Sequence, residues 1–193
     1  MKTIGFFGGT FDPLHIGHLH LAVQIFERCG LDEVLFCPAF CSPFKTDRPP
    51  RASAAARLAM LERVLAEIPH FHVTPIEIER GGPSFTVETL RTLTKRKDAR
   101  YRLVLADDVA SHFHSWKEPE EILHLSAPIV GTRGTPKPLP SSPVKDQLEK
   151  ARISIATFDV SSTEVRERLK KKLYCGHLVP GKALDYIHAH DLY

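Results

Sequence analysis

Two histidines, His15 and His18, stand three residues apart, just after the string Gly8-Gly-Thr-Phe-Asp-Pro-Leu14. The apolar run from Lys2 to Phe7 predicts a short buried strand, with a sharp turn at Gly8-Gly9. From Ile16 the periodicity becomes helical, with Leu19, Val23 and Phe26 on one stripe. The histidines therefore fall where a helix begins, and their spacing puts both imidazoles on one face, one turn apart. Free backbone N–H groups and the positive end of the helix dipole point the same way. Gly17 leaves room for a ligand to press against the backbone between them. Such a site suits a polyphosphate that gains or loses charge during a reaction. The plainer alternative makes both histidines capping or packing residues of a helix start.

A second constellation is Asp159-Val-Ser-Ser-Thr-Glu-Val-Arg166. Ser161 or Ser162 supplies a helix N-cap, and Arg166 on the first turn can reach back over it. Hydroxyls, exposed amides and a guanidinium together would make a second phosphate clamp. Ser161 with Glu164 also reads as a capping box without any ligand.

Strand-like and helix-like segments alternate around these residues, the pattern of an α/β fold with a parallel sheet. Val34 to Cys37 reads as a second strand, and the loop from Ala39 to Pro50 is long enough to be functional. Arg51 to Ile68 reads as helix, with Leu58, Leu61 and Leu65 buried. Phe71 to Ile78 reads as extended, although Pro75 argues for a break. A turn at Gly81-Gly-Pro83 precedes a helix from about Thr86 to Lys97. Arg102 to Ala106 reads as a central strand, followed at once by Asp107 and Asp108. A short helix around Pro119 to His124 and a strand at Pro128 to Val130 come next. The proline-rich stretch Gly131 to Pro143 reads as a mobile surface loop. A strand near Ile153 to Phe158 feeds the helix after Ser161, and a helix from Gly181 to His190 follows. Ligands of an open parallel sheet bind at the carboxyl ends of its strands, so the turns after Phe7, Cys37, Ala106, Val130 and Phe158 should converge.

The bulk properties fit one enzyme-sized domain: 193 residues, 42% hydrophobic, 25% charged, with 26 basic against 23 acidic residues. A formal charge of +3 suits a protein handling anions and does not mark a nucleic-acid binder. No stretch approaches the roughly 20 apolar residues of a membrane span, and the first residues lack the layout of a signal peptide. A cytoplasmic protein is expected. Cys29, Cys37, Cys41 and Cys175 are too few and too scattered for a disulfide framework, so free thiols are expected. His112 and His114 alternate near a helix end and do not aim at one point, which argues for surface histidines rather than a metal site.

The segment Gly8 to His18 resembles the HxGH signature of the nucleotidyltransferase superfamily. At its full length it is similar to the bacterial nicotinate-nucleotide adenylyltransferases. Ser161-Ser-Thr-Glu-Val-Arg166 matches that family's SSTxIR motif, with Val165 for isoleucine. Arg57, Ser84-Phe-Thr-Val-Glu-Thr-Leu90, Leu103-Val-Leu-Ala-Asp-Asp108, Phe113-x-x-Trp116 and Ile129-Val-Gly-Thr-Arg133 fit in family order. So do Leu178-Val-Pro, Tyr186-Ile and Leu192-Tyr193.

This resemblance implies a Rossmann-like, doubly wound parallel sheet of the nucleotidyltransferase type. It also implies one domain over 1–193, with a small C-terminal helical part from about 159. It implies that nicotinate mononucleotide attacks the α-phosphorus of ATP, with Mg²⁺ carried mainly by the triphosphate and no metal ligands from the protein. The catalytic residues implied are His15, His18, Lys45 and Arg166. ATP would be bound by Gly8, Gly9, Thr10, Phe11, His15, Gly17, His18, Ser161, Ser162, Thr163 and Arg166. Phe85, Thr86, Asp108, Trp116 and Arg133 would bind the second substrate; Asp107 reads equally as a solvated neighbour, and the plainer alternative makes Trp116 a core anchor. Departures cluster on that acceptor half: Ala39-Phe40, Phe44 for histidine, Phe85 for tyrosine, Ala106 for glycine, and Lys117 after Trp116. They leave open a nicotinamide-mononucleotide or other small-acceptor adenylyltransferase, and a non-catalytic nucleotide-binding relative. Oligomeric state is not legible.

Overall fold

The computed structural model describes residues 1–44, 49–95, 97–156 and 158–193. In chain order its elements begin with β1 (Lys2–Gly9), α1 (Ile16–Arg28), β2 (Glu33–Pro38), α2 (Ala54–Leu65), β3 (Phe71–Val73) and α3 (Ile76–Arg80). There follow α4 (Thr86–Thr94), β4 (Ala99–Ala106), α5 (Asp107–Ala110), a 3₁₀ turn (Phe113–Ser115), α6 (Pro119–Leu125) and β5 (Ala127–Arg133). The remainder are α7 (Lys145–Lys150), β6 (Arg152–Ile155), α8 (Ser162–Lys170) and α9 (Gly181–Ala189). The strands make one parallel sheet in the order β3-β2-β1-β4-β5-β6, so the expected α/β class holds.

Two compact units emerge from the contacts: residues 1–7, 21–35 and 85–157 form the first, and residues 8–20, 36–84 and 158–193 the second. In the first, β4 pairs β1 from Lys2↔Ala99 to Phe6↔Leu103, and pairs β5 from Arg102↔Ala127 to Ala106↔Gly131. Leu103, Val104, Leu105, Ile129 and Val130 are all buried, the continuous apolar pattern of parallel strands covered on both faces. α4 packs on α6, and α7 on β5. In the second unit α2 packs on α9 and β3. Met60, Leu61, Val64, Ala183 and Ile187 are buried there, and the Arg63 guanidinium lies 5.1 Å from the Tyr186 ring centre.

Several local expectations give way to packing. β1 does not turn at Gly8-Gly9 but runs through Gly9, whose carbonyl accepts the Ala39 N–H at 2.9 Å. The reversal falls instead at Phe11, held in the left-handed region at φ 50°. On α1 the buried residues are Leu21, Ala22 and Ile25 rather than Leu19, Val23 and Phe26. Gly131 explains this rotation: a Cβ there would sit 2.4 Å from Leu21 Cδ1, so its absence lets Leu21 seat on β5. Leu58 on α2 is only half-buried. The extended reading of 71–78 fails after Val73, because Pro75 ends the strand and starts α3. β5 runs on to Arg133, so the proline-rich loop begins later than expected, and α7 had no counterpart in the sequence reading.

Two glycines test this packing. Gly131→Ala would force Leu21, Ile25 and Ile155 apart and should destabilise the protein by about 1–3 kcal/mol. Gly181→Ala, at the start of α9 with open space around it, should be neutral or stabilise by about 0.5 kcal/mol. Urea titration followed by circular dichroism reads both.

Candidate active site

In the second unit the chain leaves β1 at Gly9 and enters α1 at Ile16, and everything between is held from several sides. A Cβ on Gly9 would lie 2.9 Å from the Phe11 ring, so glycine is needed there for close packing rather than for an unusual φ. Phe11 is buried, with its ring 5.7 Å from that of Phe36 and edge-on to His18 at 5.1 Å. The His15 and His18 rings stack at 3.7 Å between centroids. The His15 backbone N–H donates to His18 Nδ1 at 3.2 Å, which leaves Nε2 as the proton-bearing nitrogen of neutral His18. The two imidazoles thus share one face at the start of a 13-residue helix, as their spacing predicts. At Gly17 a Cβ would meet Val160 Cγ1 at 2.6 Å and His15 Nδ1 at 3.1 Å, so its bare backbone also admits Val160.

Asp12, 5% exposed, is the hub of this turn. Its Oδ2 accepts the Arg51 N–H at 2.8 Å, and its Oδ1 accepts the Ala52 N–H at 3.0 Å and the Tyr193 hydroxyl at 2.7 Å. Arg166 Nη1 donates to the Asp12 carbonyl at 2.7 Å and lies 3.8 Å from Oδ2. Arg166 Nη2 reaches Thr163 Oγ1 at 3.1 Å, and the Ser162 hydroxyl donates to the Pro13 carbonyl at 3.0 Å. Ser161 is the N-cap of α8: its Oγ accepts the Glu164 N–H at 3.1 Å, so the cap half of the motif is structural.

Beneath this cluster Arg57 is 1% exposed, and its guanidinium binds main-chain carbonyls. Nη1 donates to Thr10 at 2.8 Å and Ala39 at 2.7 Å, Nη2 to Phe40 at 3.1 Å, and Nε to Ala52 at 3.3 Å. Burial pushes its pKa down from the usual guanidinium value while the Asp12 charge pulls it back up, so the cation is retained. The second unit therefore gathers Gly8, Gly9, Thr10, Phe11, His15, Gly17, His18, Ser161, Ser162, Thr163 and Arg166. Lys45 lies outside the described residues.

The first unit carries the residues expected at the acceptor. Phe85 is the N-cap of α4 and Thr86 its first residue. Lys117 Nζ sits 4.5 Å over the Phe85 ring and pairs with Glu88 at 2.8 Å. Trp116 is half-buried, its ring 4.9 Å from that of Phe113, which is fully buried. Asp108 and Arg133 face each other at 3.8 Å. The reading of Asp107 as a solvated neighbour is wrong. Asp107 is 5% exposed, forms an ion pair with Arg152, and accepts the Lys137 N–H at 2.7 Å. Asp108, by contrast, is largely open to solvent.

His112 and His114 are exposed. Among the described residues no group of three or more His, Cys, Asp or Glu could hold a metal ion, and no helix is long and apolar enough to cross a membrane. The four cysteines are free, and burial pushes the Cys37 thiol pKa up. Sequence reasoning missed the roles of Asp12, Asp107, Arg152 and Tyr193. Each acts through a partner far away in the chain.

The profile of the cytidylyltransferase-like family matches residues 6–168. A Bacillus pumilus protein named "Probable nicotinate-nucleotide adenylyltransferase" is 37% identical over 194 residues, covering 100% of this chain and 99% of the relative. A Salinibacter ruber protein of the same name is 38% identical over 193 residues, covering 99% of this chain and 97% of the relative. Among solved structures, the Plasmodium falciparum nicotinic acid mononucleotide adenylyltransferase complexed with NaAD superposes with a TM-score of 0.79. It is 20% identical and covers 100% of this chain and 98% of its own.

Removing the Arg57 side chain would strand several buried carbonyls at once. Arg57→Ala should lower stability by about 3 kcal/mol or more, and Arg57→Lys should recover only part, since an ammonium cannot span the same fork of acceptors. Urea unfolding of the two variants checks the order.

Proposed function

The chain belongs to the cytidylyltransferase-like family, and from that premise we propose that it transfers AMP from ATP to nicotinate mononucleotide, releasing pyrophosphate. The observation that carries the chemistry is the His15–His18 pair at the start of α1, with Nδ1 of His18 occupied by a backbone N–H and Nε2 left as its donor. The relatives, aligned along nearly their whole length, support the choice of acceptor.

The nucleophile is a phosphate already ionised at neutral pH, so no general base is required, and catalysis reduces to alignment and charge stabilisation. In this reading His18 donates from Nε2 to the phosphoryl group in transfer, and His15 holds the neighbouring phosphate. Main-chain groups of Gly8, Gly9, Thr10 and Phe11 line the turn against the nucleotide, Gly17 keeps the helix start tightly packed, and Lys45 adds a cation. Ser162, Thr163 and Arg166 hold ATP at the start of α8, where Ser161 caps the helix. Adenylyl transfer from ATP uses a divalent metal, and we assign Mg²⁺, entering with ATP as part of the substrate and neutralising its triphosphate. Asp12, the carboxylate of this cluster, already accepts three hydrogen bonds and is a poor candidate to ligate it. Phe85, Thr86, Asp108, Trp116 and Arg133 are assigned to the acceptor. The α4 amides at Phe85 and Thr86 favour a nicotinate carboxylate over a neutral amide. Nucleic acid has no part in this reading. The compartment is the cytoplasm, where the donor ATP is held.

If His18 stabilises the transition state, His18→Ala should lower kcat by about 10²–10³ while ATP affinity changes much less. Steady-state pyrophosphate release beside direct ATP binding separates the two.

The acceptor assignment is tested by giving the pure protein ATP, Mg²⁺ and each mononucleotide in turn. kcat/KM for nicotinate mononucleotide should exceed that for nicotinamide mononucleotide by at least about tenfold. Equal rates would mean an acceptor pocket that has diverged. ATP binding without turnover of either would mean a nucleotide-binding relative.

A further inference from the structure

Within the second unit a single acceptor joins the turn after β1 to a residue far along the sequence. Tyr193 donates its hydroxyl to Asp12 Oδ1 at 2.7 Å, across a separation of 181 residues. The same oxygen accepts Ala52 N–H at 3.0 Å, while Oδ2 accepts Arg51 N–H at 2.8 Å and faces Arg166 Nη1 at 3.8 Å. Arg166 Nη1 also binds the Asp12 carbonyl at 2.7 Å. Both the main chain and the side chain of Asp12 therefore orient the guanidinium assigned to ATP. Asp12 is almost fully buried, so its rotation is set by these donors and not by water. Two of the three donors to the carboxylate are backbone groups that define where it sits. The third, the phenol, is the one a side-chain substitution can remove without moving the main chain.

We propose that Tyr193 is a positioning residue for ATP: its hydroxyl fixes the Asp12 carboxylate, and through Asp12 the guanidinium of Arg166. The proposal rests on the reading of Arg166 as an ATP ligand. The phenol is a dependable donor, because burial first, and then the charge and hydrogen bond of Asp12, hold its ionisation far above the ordinary tyrosine range. Hydrogen bonds to a charged group are stronger than those between neutral groups, and losing this one loosens the carboxylate, which then rests on the Arg51 and Ala52 N–H groups alone. Of the three contacts that aim Arg166, the one to Oδ2 at 3.8 Å would then slacken, while those to the Asp12 carbonyl at 2.7 Å and to Thr163 Oγ1 at 3.1 Å remain.

The test is Tyr193→Phe, which deletes one hydroxyl and keeps the ring, with Asp12→Asn as the second variant. Affinity for a non-hydrolysable ATP analogue is measured by calorimetry, KM for ATP and for nicotinate mononucleotide by pyrophosphate release, and Tm by calorimetric scan. The expected result in Tyr193→Phe is a loss of ATP-analogue affinity by about 3–10-fold, with KM for the mononucleotide and kcat within about twofold, and in Asp12→Asn a loss of affinity at least as large. In an Arg166→Ala background the Tyr193→Phe loss should vanish, because its route to the ligand is gone. Unchanged analogue affinity in Tyr193→Phe overturns the proposal. So does a loss that persists undiminished without Arg166, or one that strikes both substrates together with a collapse of Tm, which would make Tyr193 a purely structural residue. Failure of the mononucleotide to react leaves the binding arm decisive, so the acceptor reading can fall while this one stands. Wild-type protein that binds no ATP analogue overturns both.

Discussion

A guanidinium sealed from water is the constraint on which the cluster around His15, His18 and Asp12 depends. Burying a charge costs several kcal/mol unless its donors find good acceptors. Arg57 meets that condition with carbonyls from three segments: Thr10 in the turn after β1, Ala39 and Phe40 after β2, and Ala52 before α2. A planar fork tolerates little displacement of its acceptors, so one side chain on α2 sets where those segments lie. Asp12 closes the arrangement by binding the amides of Arg51 and Ala52 at the entrance to the same helix. Its negative charge supports the Arg57 cation. The turn that carries the histidines is thus fixed by buried electrostatics before any ligand arrives, the kind of pre-organisation that stabilises charge without reorganising at the moment of reaction.

The first unit uses the same device with the signs exchanged. There the buried acid is Asp107, held by Arg152 and by the Lys137 N–H, so that the segment after β5 is tied to the end of β4. The pair of acids at 107 and 108 divides the labour. The buried one organises the main chain, and its exposed neighbour stands across from Arg133 at 3.8 Å. A carboxylate already committed to structure is a poor ligand for substrate. A half-solvated one beside an arginine keeps its chemistry available.

The sequence made the elements and the principal constellation legible because these are local. Histidine spacing, the Ser161 cap and the apolar runs of β2, β4 and β5 each depend on residues within a few positions. What escaped was long-range. The rotation of α1 follows from a missing Cβ at Gly131, which no periodicity within α1 can report. The extension of β1 through Gly9 follows from a ladder bond to Ala39, and the role of Gly17 from Val160 pressing on it. Asp107 could not be told from Asp108 without Arg152, which is 45 residues away. Periodicity sees which face is apolar; it does not see which partner completes a buried charge.

This division also bears on the departures around Ala39, Phe40 and Phe44. In the second unit the segment after β2 is held by main-chain groups. Arg57 takes the carbonyls of Ala39 and Phe40, the Ser84 hydroxyl accepts the Phe40 N–H at 2.9 Å, and the Ser84 N–H donates to the Cys41 carbonyl at 2.8 Å. Any residue supplies a carbonyl and, proline apart, an N–H, so side-chain identity at the exposed position 40 can change without disturbing the frame that holds the turn after β1, whereas Ala39 is buried and must stay small. Phe40 and Phe44 spend their freedom on solvent exposure, at 40% and 57%, rather than on the core. Their divergence from the family pattern is therefore compatible with an intact cluster around His15, His18 and Asp12.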